Sequence, residues 1–595
     1  MRKMMFMQLM LLTVALGLRA EEADSLLADT THVDWYETPG MTDKIATLPT
    51  FRDMMELRPP HDATSGVADY SEATTIEIEE PWFAWVNITG LTNLPASKSD
   101  VRQVWVEVYD GYGAYFRKRA IVKGQGGWSL KFPKRNFSCQ FCEGDWTGNA
   151  TPDIRIGNWV WQDEFHFKAF YTDFSRGLGE VGYKLFHQIV ADRAPYWERG
   201  GYTASSNRAR CLPDGFPCAV YLEGRFHGIY AWQLKKSRKN MNMVKTEPLH
   251  IHLDGNLNNQ TLFRGSVAWS KFDIRHPKDA YCTDQTREAI RQLSRYHAEL
   301  AALEASGADS LAMTRAFEER FDIASLVDYD VFYQFVCNCD GSLKNWQWFT
   351  YDGRKWFVAP YDLDQTFGVN LYGVVRPAVW NHSPLVEGPF YWVERYYKRE
   401  LRRRYAQLRS NGVLTTANIL PLMRDWCQRV GEDMYDQERT RWPDSPCYAE
   451  AICNTGWRPS TDWAKYATSP DYNSSTTYHS GDLCKLEGRL WEATQTVSGV
   501  RPYVRNSQLD SLQRWEGWVA NRLAYLDTQL RANHPALSVG TMAQTPTASP
   551  FYNLAGQRVS RPRQGIYIHR GRKVVVRKAP ATFTGGRGVH VHDTN

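Results

Sequence analysis

Beyond its first twenty residues the chain has no long apolar run, so no later segment reads as a helix of the ~20 residues that a bilayer core requires. It also lacks an excess of either charge. Its 71 Lys and Arg against 66 Asp and Glu leave a net charge of +5, and a balance this even gives no reason to expect nucleic acid as the main partner. Cys139 and Cys142 form a lone CxxC with no second CxxC or ordered His pair beside it, which disfavours zinc. What the chain does have is size and aromatic content. Its 595 residues, 43% hydrophobic and 23% charged, suit one large domain with smaller attachments. The 23 Trp, 31 Tyr and 26 Phe are read mostly as core. A surplus of Trp also fits surfaces that stack on sugar rings.

The N-terminus carries a short basic region, Arg2 and Lys3, then an apolar run from Met4 to Leu18, with polar sequence from Glu21. This reads as a secretory signal peptide, residues 1–20, cut after Ala20, and places the protein outside the cell or at its surface. No Cys follows the run, so a lipid anchor is not expected. In an exported chain some of the 11 Cys are expected to pair. Cys139 with Cys142, Cys211 with Cys218 and Cys447 with Cys453 are close enough in sequence, whereas Cys337 and Cys339 read as buried thiols.

Residues 21–75 are Pro-punctuated and read as loosely ordered. Segment 76–145 reads as a series of strands separated by turns such as DGYG. Leu178, Val181, Leu185 and Ile189 have helical spacing. A strand pair follows (PCAVYLEG and FHGIYAWQL), then helices over 284–335, a hairpin over 345–362 turning at Asp352 and Gly353, and charged helices over 393–440. Strands first and helices later predict an α+β domain over 76–530 in two lobes. A Tyr/Ser/Thr-rich insert spans 465–508, a linker 536–550, and a small β unit with a tail 551–595.

Phosphoryl transfer needs a carboxylate to orient the acceptor hydroxyl, oxygens for Mg²⁺ and a Lys for the phosphates. Asp340 and Asn345 have D-x4-N spacing between a helix and the hairpin. The hairpin ends in YDLDQTFG, which supplies Asp362 and Asp364 as further metal candidates. Asp362 directly follows the apolar run WFVAPY and is favoured of the two. The bland reading is that both acids cap a turn or helix. Upstream, Gly124, Gly126 and Gly127 allow close backbone approach to a phosphate, though they form neither a Walker A loop nor G-x-G-x-x-G. Lys134 is the candidate phosphate ligand and Lys131 its runner-up. Glu180, on the helix at 174–192, is the candidate partner for Lys134.

The stretches KGQGGWSLKFPKRNFSCQFCEGDW, RIGNWVWQDEFHFKAFYTDFSRG, YLEGRFHGIYAWQLKKSRKN, CDGSLKN and VAPYDLDQTFGVN together resemble the CotH family of spore-coat-protein-H-like atypical kinases, closest to a Bacteroidetes-type branch. WEGWVANRLAYLDTQL resembles that family's closing segment. The resemblance implies a protein-kinase-like fold with a strand-rich N-lobe and a helical C-lobe. It implies ATP and Mg²⁺ as cofactors and transfer of phosphate to Ser or Thr of an acceptor protein. Asp340 then matches the catalytic Asp, Asn345 and Asp362 the metal ligands, and Lys134 the nucleotide-contacting Lys. Two departures bear on activity. Gln233 or Leu234 stands where many members carry Glu, and Gly126, Gly127 and Trp128 stand where small polar residues are usual.

Segment 478–504 resembles small chitin- or cellulose-binding modules, with Tyr478, Trp491 and Tyr503 as candidate sugar-stacking rings; the alternative is that they form the insert's own core. The tail from Phe551 resembles C-terminal sorting segments of Bacteroidetes exported proteins. Two functions are therefore carried forward: an exported kinase, and a catalytically silent surface protein that binds polysaccharide through the insert. A glycan hydrolase using two carboxylates fits less well, because the acids come with a Lys, an Asn and a Gly-rich segment.

Overall fold

A computed structural model describes most of residues 47–531 and five strands within 551–593; the main gaps are 1–46, 58–66, most of 256–271 and 370–387, 448–455, 503–507 and 532–550, with shorter ones elsewhere. The chain divides into two compact units, Met1–Leu530 and Arg531–Asn595.

Seven strands of the first unit close into a ring. They are β1 (Ala84–Thr89), β2 (Val101–Tyr109), β3 (Ala114–Gly124), β4 (Phe137–Cys142), β5 (Glu164–Lys168), β6 (Gly215–Leu222) and β7 (Arg225–Leu234). Their order is β3-β2-β1-β6-β7-β5-β4, and β4 pairs back onto β3. This closed barrel overturns the expected two-lobed kinase arrangement. Only the mixed α+β character of the expectation stands. The reason lies in residues 137–142: this strand pairs β3 on one side and β5 on the other, so the sheet has no free edge there to form one wall of an open cleft.

Period-2 alternation builds the barrel's packing. On β5, Phe165 and Phe167 turn to one face, where Phe167 stacks on Phe137 at 4.7 Å and meets Trp232 at 5.0 Å. His166 and Lys168 turn to the other. Residues 128–131, expected as strand, form a 3₁₀ turn instead.

Helix α1 (Leu178–Val190) meets the barrel through Glu180 and Gln233, helices Asp284–Ala305 and Ser310–Arg320 pack on each other, and α2 (Ile323–Val336) packs on α1. A second antiparallel sheet follows, of β8 (Ile251–Gly255), β9 (Phe272–His276), β10 (Trp346–Thr350) and β11 (Trp356–Pro360), in the order β9-β8-β10-β11. Five more helices follow among the described residues: Pro389–Tyr396, Lys398–Ser410, Thr416–Val430, α3 (Glu432–Arg441) and Gln508–Leu526, the last packed on Thr416–Val430. The four apolar positions that predict α1 are all buried. The Trp surplus is core: Trp159, Trp232, Trp346, Trp348, Trp356, Trp426 and Trp457 are almost fully buried. Part of the segment expected to be loose is tied down, because the short helix Phe51–Leu57 buries Phe51 and Met54 in the main core.

Cys139, Cys142, Cys211, Cys218 and Cys447 are free thiols, so the first two expected disulfides are absent; Cys453 and Cys339 lie outside the described residues. Among the described residues no helix is long and apolar enough to cross a membrane. In the second unit the strands Phe551–Tyr552, Arg558–Val559, Gly565–His569, Arg572–Arg577 and His590–Asp593 form one antiparallel sheet. Residues beyond Lys578 therefore belong to that sheet, through His590–Asp593 pairing with Arg572–Arg577.

Candidate functional site

Strand register brings the relevant chain segments to one rim of the barrel. Gly124 pairs with Phe137, Phe137 with Phe167, and Phe167 with Trp232, while Lys168 pairs with Ala231. The glycine turn, the start of β4 and the end of β5 thus share this rim. Asn136 joins them: its Oδ1 accepts the Ala169 N–H at 2.7 Å, and its backbone carbonyl accepts the Gln125 N–H at 3.1 Å.

Lys168 closes the rim toward the second sheet. Its Nζ donates to Asp362 Oδ1 at 2.9 Å. The lysine side chain is 3% exposed and the carboxylate 31%, so the pair opens to solvent on its acidic side. Burial works against charge on Lys168, but Asp362, Tyr361 and Asp364 outweigh it and keep the amine protonated above the usual lysine range. Burial likewise pushes the Asp362 carboxyl up, while Lys168, Lys236 and Lys344 together hold it below the usual carboxylate range. Lys236 sits 3.2 Å from the centre of the Tyr361 ring and 2.5 Å from Asp254, which also takes Arg275 at 2.8 Å.

The hairpin delivers the metal candidates side by side. Trp346 pairs with Pro360, and the Tyr361 N–H donates to the Asn345 carbonyl at 3.0 Å, so Asn345 and Asp362 flank the end of the same ladder. Both have left-handed backbones, with φ of 66° and 52°. Asn and Asp tolerate that region better than other side chains, and non-glycine residues held there concentrate at working sites. Tyr183 of α1 fixes the turn by accepting the Asp362 N–H at 2.9 Å. Asp364 is partly exposed next to it. Asp340 lies outside the described residues, and among those described no three His, Cys, Asp or Glu side chains gather as a metal cluster.

Lys134, expected to meet phosphate, is placed elsewhere. It is wholly buried, with Nζ 2.7 Å from Glu438 Oε1 of α3 and hydrogen bonds to the carbonyls of Ala169 (3.2 Å) and Ile229. Arg176 joins the same carboxylate oxygen at 2.9 Å. The other carboxylate oxygen takes the Ile229 N–H at 2.7 Å. Gly228 makes room: it has φ 153°, and a Cβ there would fall 2.6 Å from Lys134 Cε. The ladder shifts register at that point, which turns Ile229 toward α3. A Lys with all its neighbours supplied by the protein and no solvent path is a structural knot. Glu180, expected as its partner, is also buried but bonds Gln233, whose Nε2 donates to Glu180 Oε1 at 2.6 Å. Lys131 is exposed at the end of the 3₁₀ turn.

The glycines divide by role. Gly124 donates its N–H to the Ser97 carbonyl at 3.0 Å, and a Cβ would lie 2.7 Å from that oxygen, so it is a packing glycine. Gly126 has φ 107° and borders Asn136. Gly127 faces open space. In the insert, Tyr478 and Trp491 are buried with Trp457, Cys484, Ala493 and Val497, so their faces fill its core and are not presented for stacking; Tyr503 lies outside the described residues.

Sequence reasoning missed Lys168, although the alternating run EFHFK that ends on it lies inside the stretch RIGNWVWQDEFHFKAFYTDFSRG that carries the family resemblance. It also missed Glu438, for which the charged run EDMYDQERTR carries no distinguishing pattern.

Residues 122–465, more than half of the chain, match the sequence family described as CotH kinase protein. No curated protein matches the chain.

Proposed function

The chain belongs to the CotH kinase family, and from that premise we propose that it binds a magnesium nucleotide at the Lys168–Asp362 rim and transfers the terminal phosphate to Ser or Thr of an acceptor protein outside the cell. The observation that carries this reading is the Lys168–Asp362 contact at 2.9 Å, partly open on its carboxylate, where Lys236, itself paired with Asp254, and Lys344 add positive field. Cations this dense around a single Asp suit a polyphosphate better than a bare cation. Lys168 takes the phosphate-positioning role expected of Lys134. Asn345 and Asp362 would hold Mg²⁺, with Asp364 beside them and Asp340 orienting the acceptor hydroxyl, as the family resemblance implies. The metal, when bound, neutralises charge on the phosphates. The chain's own contribution is to fix Lys168 through β5 and Asp362 through the Tyr183 contact, so neither must reorganise as charge develops. The basic Arg2 and Lys3 followed by the apolar run Met4–Leu18 read as a signal peptide, which favours export.

The test is thermal shift with ATP and Mg²⁺ on the purified chain, beside Asp362→Ala. A magnesium-dependent rise, lost in the variant, is expected; a ligand at 100 times its Kd adds about 2.7 kcal/mol. Labelled-phosphate transfer to added acceptors, abolished by Asp340→Asn, then checks catalysis. Absence of a shift at millimolar nucleotide refutes the proposal.

A further inference from the structure

Away from the rim, past the C-terminal end of α1, a cavity of about 560 Å³ is lined by four arginines, Arg193, Arg199, Arg208 and Arg210, and by no acidic side chain. We infer that this cavity is a second binding site, for a small phosphate-bearing ligand. The inference does not rest on the nucleotide reading.

The arginines are held in place from behind. Arg193 is paired through Nε and Nη2 with the buried Asp328, and Arg199 through Nη1 with Asp322. Arg210 reaches Asp214 at 3.3 Å and the Asn158 side chain. These bonds use only part of each guanidinium, which carries five donors in a rigid fork. Arg208 is exposed and touches a single acceptor, the Gly157 carbonyl at 3.4 Å. Paired arginines that keep donors for a third group, beside one guanidinium with no carboxylate, form an anion cradle that a phosphate's oxygens match bidentately.

A second observation points the same way. Arg210 Nε, from a residue that lines this cavity, is a buried donor with no hydrogen-bond partner. Such a group is costly to leave unmet. An adjoining cavity shares Asn158, His187 and Arg210 but carries Glu80 and Asp214, so the anion belongs in the first. The volume is that of a small-molecule site.

The test is calorimetric titration of the full chain with inorganic pyrophosphate, without metal, against Lys168→Met, Arg208→Ala and Arg208→Lys. Binding equal in wild type and Lys168→Met, weakened about tenfold or more in Arg208→Ala and only partly restored in Arg208→Lys, establishes the site. Binding lost in Lys168→Met but intact in Arg208→Ala assigns the anion to the rim and overturns the inference. So does absence of binding at millimolar pyrophosphate. Tighter binding of glucuronate than of pyrophosphate would overturn the phosphate class. Because Arg208 is exposed, circular dichroism melts of its variants should match wild type.

Discussion

Lys134 and Lys168 stand on neighbouring segments, just before β4 and at the end of β5, and each meets one carboxylate, at 2.7 Å and 2.9 Å. Around Lys134 every partner is internal: Glu438, which it shares with Arg176, and two carbonyls, with lysine and glutamate fully buried. Around Lys168 the carboxylate is partly open, and Lys236, itself paired with Asp254, and Lys344 add to the positive field on it. The difference separates a charge cluster that fastens α3 to the barrel from one poised toward a ligand. Burial of a charge alone does not mark function; a charged group whose surroundings oversupply the opposite sign, and which water reaches, is the stronger sign.

The sharpest way to break this contrast is Glu438→Gln. It leaves Lys134 and Arg176 buried without their anion and should cost about 3–5 kcal/mol, read as a lowered urea midpoint. The matching change at the rim, Lys168→Met, should lower stability by only about 1 kcal/mol while removing the nucleotide-dependent thermal shift. Comparable stability losses in the two variants would erase the distinction.

A pH test comes next in size. Burial raises the Glu180 carboxyl to about 8, and its Oε2 has no partner. The folded-state value lies above the unfolded 4.5, so its stabilising contribution is complete below pH 4.5 and is lost as pH rises to about 8. Glu180→Gln should flatten stability across that window, where one such group imposes a slope of at most about 1.4 kcal/mol per pH unit. An unchanged slope means Glu180 is not the group responsible.

The smallest effect separates the glycines. Gly124→Ala drives a Cβ against the Ser97 carbonyl and should cost about 1–3 kcal/mol. Gly127→Ala meets nothing within 4 Å and should melt as wild type. A reversal would mean that the turn, not the strand end, is the tight point.

Local patterns made much of this legible. The spacing of Leu178, Val181, Leu185 and Ile189 marks α1 because a 3.6-residue period needs no tertiary knowledge. The hairpin that aligns Asn345 with Asp362 was readable from two apolar runs around Asp352 and Gly353. Barrel closure was not, since it depends on Cys139 pairing both Val122 and Phe165, and no local pattern encodes a strand's second neighbour. The same blindness favoured Lys134, which follows a glycine run, over Lys168, which ends a five-residue strand. Only the register reveals which lysine meets a carboxylate that water reaches.

The Lys168–Asp362 bond also sets terms for whatever enters the rim. An anion arriving alone draws the amine away and strands the carboxylate; a cation arriving alone does the reverse. Each lone ligand must break an attraction it only half replaces, whereas both together exchange one pairing for two. If the rim takes the magnesium nucleotide proposed for it, binding of the metal and of the phosphates should therefore be positively cooperative, each tightening the other by the same factor. A self-satisfied resting bond would then make the rim respond to the metal–phosphate complex as a unit and weakly to either component.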